Sequence, residues 1–205
     1  MIKAVLFDYG GVLTQGGTSG GVIRLIANAL NVPEKDVLPA RELMSELLLG
    51  KVTTARFLQK LRQAYPYAQK PNSTKLLANA EVFVPSQPVY ELAAQLRASG
   101  VRTGILSNMF ELAAARLRQK GLYDGFDPVV LSCEEHLAKP DPLFYDCAIQ
   151  KLGLRPEEVI FIDDQERFRP PADFVGMHFV LAQSPEQIVA DVKSLLFEYD
   201  GLRLD

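Results

Sequence analysis

Short apolar runs recur along the chain, and each of them ends in polar residues. These runs are Val5–Phe7, Thr103–Leu106, Pro128–Leu131, Val159–Ile162 and His178–Leu181. Apolar runs of this length are typical of strands that are buried on both faces, as in a parallel sheet. The pattern therefore predicts a sheet of short buried strands at the centre of the molecule.

Helical patterns separate these runs between residues 89 and 197. Gly100 stands where the first of these helices should stop, while Asp141-Pro142 and Gly153 mark the start and end of another. Ser184–Gln187 has the spacing of a capping box at the start of the last helix. Strands that alternate with helices predict an α/β fold with a Rossmann-like parallel-sheet core flanked by helices.

The stretch from residue 15 to residue 84 follows a different pattern. It is rich in Leu, Ala, Arg and Glu, and it predicts helices at Val22–Leu30, Ala40–Leu49 and Thr54–Ala64. We expect residues 15–84 to form a small all-helical cap inserted after the first strand of a core made of residues 1–14 and 85–205. Residues 16–21 contain four glycines but lack the Gly-Lys-Ser/Thr ending of a phosphate-binding P-loop.

Composition and charge narrow the possible partners. The 205 residues are 48% hydrophobic and carry a net charge of −3, so no basic surface indicates binding to nucleic acid or anionic lipid. No stretch approaches the roughly 20 apolar residues of a membrane span, and the apolar run at residues 4–7 is too short for a signal peptide. We expect a cytoplasmic protein with a small-molecule partner.

Polar side chains that could do chemistry follow the predicted strands. Asp8 ends the first strand, Ser107-Asn108 ends the second, and Asp163-Asp164 ends a later one, while Lys139-Pro140 precedes a helix. In open α/β sheets, ligands bind at the carboxyl ends of the strands, where such side chains converge. Carboxylates suit Mg²⁺, and a hydroxyl, an amide and a lysine can bind phosphoryl oxygens. The set therefore favours phosphoryl transfer, which depends mainly on positioning and charge neutralisation.

On these motifs the sequence resembles the haloacid dehalogenase-like hydrolase superfamily over nearly its whole length, in the branch with a helical cap after the first strand. The four motifs of that superfamily stand here as Asp8–Val12, Ser107-Asn108, Lys139-Pro140 and Asp163-Asp164. The resemblance implies a magnesium-dependent phosphatase that acts on a small phosphorylated metabolite through an aspartyl-phosphate.

The resemblance also implies a role for each matched residue. Asp8 would be the nucleophile and a metal ligand, and Ser107, Asn108 and Lys139 would bind the phosphate. Asp164 would bind the metal through its carboxylate and Gly10 through its backbone carbonyl, with Asp163 in support.

Gly10 departs from the pattern of the family's phosphatases, which usually have a second aspartate at this position. That aspartate protonates the leaving group and then activates water, and a group in this role typically contributes 10²–10⁴-fold. Its absence leaves three readings open. The first is a phosphatase for substrates with a good leaving group, as in the Asp-x-Gly sugar-1-phosphate phosphatase branch. The second is a non-hydrolytic binding or regulatory module, and the third is a 2-haloacid dehalogenase that needs no metal.

Overall fold

The computed structural model describes residues 1–15, 27, 32–37, 41–66 and 84–204. Within this part of the chain, five parallel strands form one sheet. The strands are β1 Ala4–Phe7, β4 Arg102–Ser107, β5 Val129–Leu131, β6 Val159–Asp163 and β7 His178–Leu181. Their order across the sheet is β5-β4-β1-β6-β7. Each contains most of an apolar run of the sequence, and the α/β parallel-sheet prediction is confirmed.

Helices cover both faces of this sheet. Alternate residues of the central strands point to opposite sides, so both faces present apolar side chains that the helices bury. Val5 and Phe7 of β1 belong to one buried cluster, while Ala4 and Leu6 belong to another on the opposite face. The helices are α1 Glu34–Val37, α2 Arg41–Leu48, α3 Thr54–Ala64, α4 Gln87–Ala98, α5 Glu111–Gln119, α6 Ser132–Glu135, α7 Pro142–Leu152, α8 Arg169–Val175 and α9 Pro185–Asp200.

The helix ends follow the sequence signals closely. The Asp141 carboxylate accepts from the Leu143 N–H at the start of α7, and Gly153 ends that helix in the left-handed conformation. At α9, the Ser184 hydroxyl accepts from the Gln187 N–H, as predicted. The other half of the capping box differs, since the Gln187 side chain accepts from the N–H of Gln183, one residue before the expected donor.

The segment between β1 and α4 contains the predicted helices as far as it is described. α2 and α3 match Ala40–Leu49 and Thr54–Ala64, whereas Val22–Leu30, apart from Ala27, and residues 16–21 lie outside the described residues. Two short strands, β2 Thr14–Gln15 and β3 Val84–Pro85, pair antiparallel where the chain leaves the core and returns to it. This pairing supports the proposed division into a cap of residues 15–84 and a core.

None of the described helices combines the length and the apolar character that crossing a membrane requires.

Candidate active site

Three aspartates meet at the carboxyl edge of the sheet. Asp8 directly follows β1, Asp163 is the last residue of β6, and Asp164 comes next. One carboxylate oxygen from each lies within 4.8 Å of the other two. β1 and β6 are neighbours in the sheet, and the Asp8 N–H donates to the carbonyl of Ile162 at 2.9 Å. The strand pairing therefore determines the spacing of this acid cluster, which consists of Asp8, Asp163 and Asp164.

Lys139 lies between two of these carboxylates. Its Nζ is 3.0 Å from Asp8 Oδ1 and 2.5 Å from Asp163 Oδ2, and the lysine side chain is only 1% exposed. Burial opposes the charged form of Lys139, but the attraction of Asp8 and Asp163 outweighs it and holds the lysine pKa above its ordinary value. Lys139 is therefore a permanent cation next to Asp8.

Asp163 faces Lys139 with one oxygen and the backbone with the other. Its Oδ1 accepts from the Gln165 N–H at 2.9 Å, and the residue is fully buried. Burial raises the pKa of the Asp163 carboxyl, Lys139 opposes this effect, and the nearby Asp8 charge adds to it. Asp163 is thus placed to hold Lys139 in position, and the supporting role expected of it stays a prediction.

Asn108 holds the backbone of Lys139 through both atoms of its amide. Its Nδ2 donates to the Lys139 carbonyl at 2.9 Å, and its Oδ1 accepts from the Lys139 N–H at 2.8 Å. Sequence reasoning assigned Asn108 to the phosphate and missed this connection between two motifs that lie 31 residues apart. The hydrogen bonds position the lysine, while a phosphate contact by Asn108 stays a prediction.

The two glycines after Asp8 have different backbone conformations. Gly10 has φ −75° and ψ 128°, which any residue can adopt, whereas Gly11 has φ 77°. A Cβ placed on Gly11 would lie 2.3 Å from Asp164 Oδ2, so only glycine allows this carboxylate to approach the turn. The Gly11 N–H donates to the Thr14 hydroxyl at 3.0 Å, which closes the turn. The predicted metal contact of the Gly10 carbonyl stays a prediction.

Two aromatic rings near Lys139 were not anticipated from the sequence. The Nζ lies 5.2 Å from the ring centre of Phe161 and 4.9 Å from that of Phe168. Such rings stabilise a desolvated ammonium group by cation–π attraction. The alternation of β6 could have revealed Phe161, since it is the second residue before Asp163, but the position of Phe168 depends on the loop after the strand.

Ser107 and Tyr9 lie at the same edge of the sheet. Ser107 is the buried last residue of β4, next to β1, and its predicted contact with phosphate stays a prediction. Tyr9 is buried with its ring against Tyr123, and burial raises the pKa of its hydroxyl. Tyr9 is therefore no substitute for the missing acid.

The donor set of the acid cluster fits a magnesium ion. Lys139 pairs with two of the three clustered carboxylates, which leaves an excess of negative charge among the described residues here, and hard oxygen donors are the ligands that Mg²⁺ prefers. The close approach of Asp164 to Gly11 also holds a carboxylate next to the turn that follows Asp8. The cluster can thus bind a divalent cation, and Lys139 can bind an anionic oxygen nearby.

Comparison with known proteins agrees with this geometry. The family model of the haloacid dehalogenase-like hydrolases matches residues 2–167. The chain therefore belongs to the haloacid dehalogenase-like hydrolases. This confirms the resemblance at the level of the family, and it identifies the protein as a hydrolase.

The chain spans different shares of the length of its individual relatives. The chain is 30% identical over 95% of its length to "Acyl-CoA dehydrogenase family member 10" of Mus musculus, and it spans 19% of that protein. It is 24% identical over 86% of its length to "Glyceraldehyde 3-phosphate phosphatase" of Methanocaldococcus jannaschii, of which it spans 83%. A family enzyme from Bacteroides thetaiotaomicron, solved in complex with magnesium and inorganic phosphate, superimposes with a TM-score of 0.71 at 22% identity, covering 90% of this chain and 96% of its own.

Proposed function

We propose that this hydrolase is a magnesium-dependent phosphatase for a small phosphorylated metabolite, with Asp8 as its nucleophile. The observation that carries the proposal is the placement of Lys139 Nζ 3.0 Å from Asp8 Oδ1, within a cluster of three carboxylates. A phosphatase among the relatives and a phosphate complex of a structural neighbour support the same chemistry.

Each side chain has a distinct role in this proposal. An oxygen of Asp8 attacks phosphorus, the bond from phosphorus to the ester oxygen breaks, and the alcohol leaves with that electron pair. Water then hydrolyses the aspartyl-phosphate and regenerates the carboxylate. Lys139 binds a phosphoryl oxygen beside Asp8, while Asn108 and Asp163 hold the lysine in position. Asp8 and Asp164 would hold the magnesium ion, which would supply positive charge next to the phosphoryl group.

The missing carboxylate at Gly10 limits the substrates that the site can use. A poor leaving group needs a proton as its bond breaks, whereas an anomeric sugar phosphate or an acyl phosphate does not. No titratable side chain occupies position 10, and Tyr9 points into the core against Tyr123. We therefore propose that good leaving groups are favoured, as in the sugar-1-phosphate phosphatase branch.

The proposal is tested by turnover of an aryl phosphate with and without Mg²⁺ in the wild type and in Asp8→Asn. We expect metal-dependent turnover in the wild type and a loss of at least about a thousandfold in the variant, because an amide is a far weaker nucleophile than a carboxylate. Circular dichroism and thermal unfolding should show that both proteins are folded.

The same assay distinguishes the alternative functions. Phosphate binding without turnover of aryl, sugar or acyl phosphates would indicate a non-hydrolytic binding module. Halide release from a 2-haloacid in the absence of metal would identify a dehalogenase. Retention by Asp8→Asn of more than about a tenth of wild-type turnover would contradict the assignment of Asp8 as nucleophile.

A further inference from the structure

A cavity of about 650 Å³ opens beside the acid cluster. Its wall includes Gly11 and Asp164, so it adjoins the place where the reacting phosphoryl group is proposed to bind. The first turn of α9, with Ser184 and Glu186, contributes another part of the wall. This volume lies within the usual range for small-molecule sites and exceeds what a phosphoryl group alone would fill.

The wall combines apolar residues, among them Val12, Pro88 and Ile188, with polar groups that are neutral or acidic. Gln15, Gln183 and Ser184 offer hydrogen-bonding groups, while Asp164 and Glu186 are the acidic members. Among the described residues that line the cavity, none is a lysine or an arginine. A neutral ligand with several hydroxyls would find hydrogen-bond partners here, whereas an anionic ligand would meet carboxylates without a compensating cation.

Asp164 and Glu186 contribute differently to this repulsion. The charge of Asp164 is offset when the proposed magnesium ion is bound. Glu186 is exposed and lies in the first turn of α9, outside the acid cluster. Glu186 is thus the carboxylate whose charge a leaving group in this cavity would still encounter.

We propose that this cavity receives the leaving-group part of the substrate and that Glu186 selects against leaving groups with a negative charge. The substrate class is then the phosphate esters of uncharged, hydroxylated leaving groups, such as sugars phosphorylated at the anomeric oxygen. This inference rests on the proposed function and assigns part of the specificity to the core helix α9.

The described residues also line a second cavity, of about 440 Å³, which is the other candidate place for the leaving group. It is lined by residues of β7, α8 and α9, including Arg169, and it contains no member of the acid cluster. Because neither the acid cluster nor the turn after Asp8 contributes to its wall, it is not a place for the leaving group. The cavity beside Asp164 is therefore the one that the proposal concerns.

The test uses two esters of nearly the same shape, glycerol 3-phosphate and 3-phosphoglycerate, which differ by a hydroxymethyl group and a carboxylate. Binding is measured by calorimetry with Mg²⁺ in Asp8→Asn, which does not consume the ligands. We expect tighter binding of glycerol 3-phosphate. Adding Glu186→Gln should strengthen binding of 3-phosphoglycerate by about three- to fivefold, since exposed charges interact weakly, and should change glycerol 3-phosphate binding less than about twofold.

The matched control is Glu198→Gln in the same background, which makes the same charge change at an exposed position near the other end of α9. It should leave the ratio of the two affinities unchanged. An unchanged ratio in Glu186→Gln, an equal change in Glu198→Gln, or a preference of the Asp8→Asn protein itself for 3-phosphoglycerate would overturn the inference while leaving the phosphatase proposal intact. Failure of both esters to bind would contradict the phosphatase proposal itself, and the inference with it.

Discussion

Gly10 and Gly11 are adjacent in the sequence but meet different constraints in the structure. Gly11 needs its positive φ, and its missing side chain leaves the space that the Asp164 carboxylate fills. Gly10 has an ordinary extended backbone, so its conformation does not require glycine. The backbone conformation of the turn therefore does not by itself exclude a carboxylate at position 10.

The first prediction at the residue scale concerns Gly10→Asp. We expect it to accelerate hydrolysis of phosphate esters with poor leaving groups by about tenfold or more, because a carboxylate at this position can donate a proton to the leaving oxygen. Esters with good leaving groups should change little. The measurement is log(kcat/KM) across a series of aryl and sugar phosphates, plotted against the leaving-group pKa.

Gly10→Asn is the matched control, since it adds nearly the same volume without a titratable group and should not flatten the slope. In the wild type, the slope should be negative when chemistry limits the rate. A flat wild-type slope under that condition would mean that another residue supplies the proton, which would refute the interpretation of Gly10.

At the scale of elements, helix α2 contacts the segments that follow β4 and β5, next to the site. The Ser132 hydroxyl at the start of α6 donates to the Leu48 carbonyl at the end of α2 at 2.7 Å, and it accepts from the Met109 N–H at 3.0 Å. His136, with φ 57°, lies with Nδ1 2.8 Å from the Leu49 carbonyl. These contacts link the end of α2 to the loop that carries Asn108, and no local pattern in the sequence indicates them.

Another link joins the beginnings of β1 and β6. Glu158 Oε1 lies 2.7 Å from Lys3 Nζ, and its Oε2 accepts from the Arg155 N–H at 2.9 Å. These bonds, with the Arg155 side chain, lower the pKa of Glu158 from 4.5 to about 2. The two central strands thus share an anionic anchor at the edge opposite to the acid cluster.

A depressed carboxyl pKa predicts how stability depends on pH. The unfolded chain takes up a proton at Glu158 near pH 4.5, whereas the folded chain resists protonation down to about pH 2. The contribution of Glu158 should therefore be complete above about pH 4.5 and should be lost as the pH falls towards 2. The measurement is the free energy of unfolding of the wild type and Glu158→Gln in urea at pH 7, 4 and 3.

We expect the difference between these two proteins to be largest at pH 7 and to shrink at each lower pH. Glu157→Gln is the control, because Glu157 is more than half exposed and its carboxylate pairs with Arg155 at the surface. A difference between wild type and Glu158→Gln that stays constant from pH 7 to pH 3 would contradict the ionic anchor.

At the scale of the whole molecule, the acid cluster places like charges at the centre of the sheet. Lys139 pairs with two of the three carboxylates, and the strands that carry or precede them, β1 and β6, are buried along their whole length. A divalent cation that binds only the folded state would stabilise the entire fold through mass action.

We predict that Mg²⁺ raises the unfolding temperature, with a stabilisation of about 2.7 kcal/mol at a concentration one hundred times its dissociation constant. Asp164→Ala should lose more of this stabilisation than Asp163→Ala, because Asp163 is engaged by Lys139 and Gln165. The measurement is thermal unfolding of the three proteins over a Mg²⁺ titration, with NaCl at matched ionic strength as the control. Equal magnesium affinities in the two variants would contradict this division of roles.

The sequence by itself determined the strands, most helix ends and the family. Apolar runs must be buried, and capping residues act within a single turn, so both leave local patterns that can be read directly. The motifs at Asp8, Ser107-Asn108, Lys139 and Asp163-Asp164 were also recognisable, since a parallel sheet brings strand ends to one edge.

The tertiary structure alone decided how these residues are used. It directed the amide of Asn108 to the Lys139 backbone, placed Phe168 beside the lysine, and packed Asp164 against Gly11. It also joined the end of α2 to Ser132 and formed the cavity that reaches Glu186. Each of these contacts joins residues that are far apart in the chain, so it depends on the packing of whole elements and leaves no local pattern in the sequence.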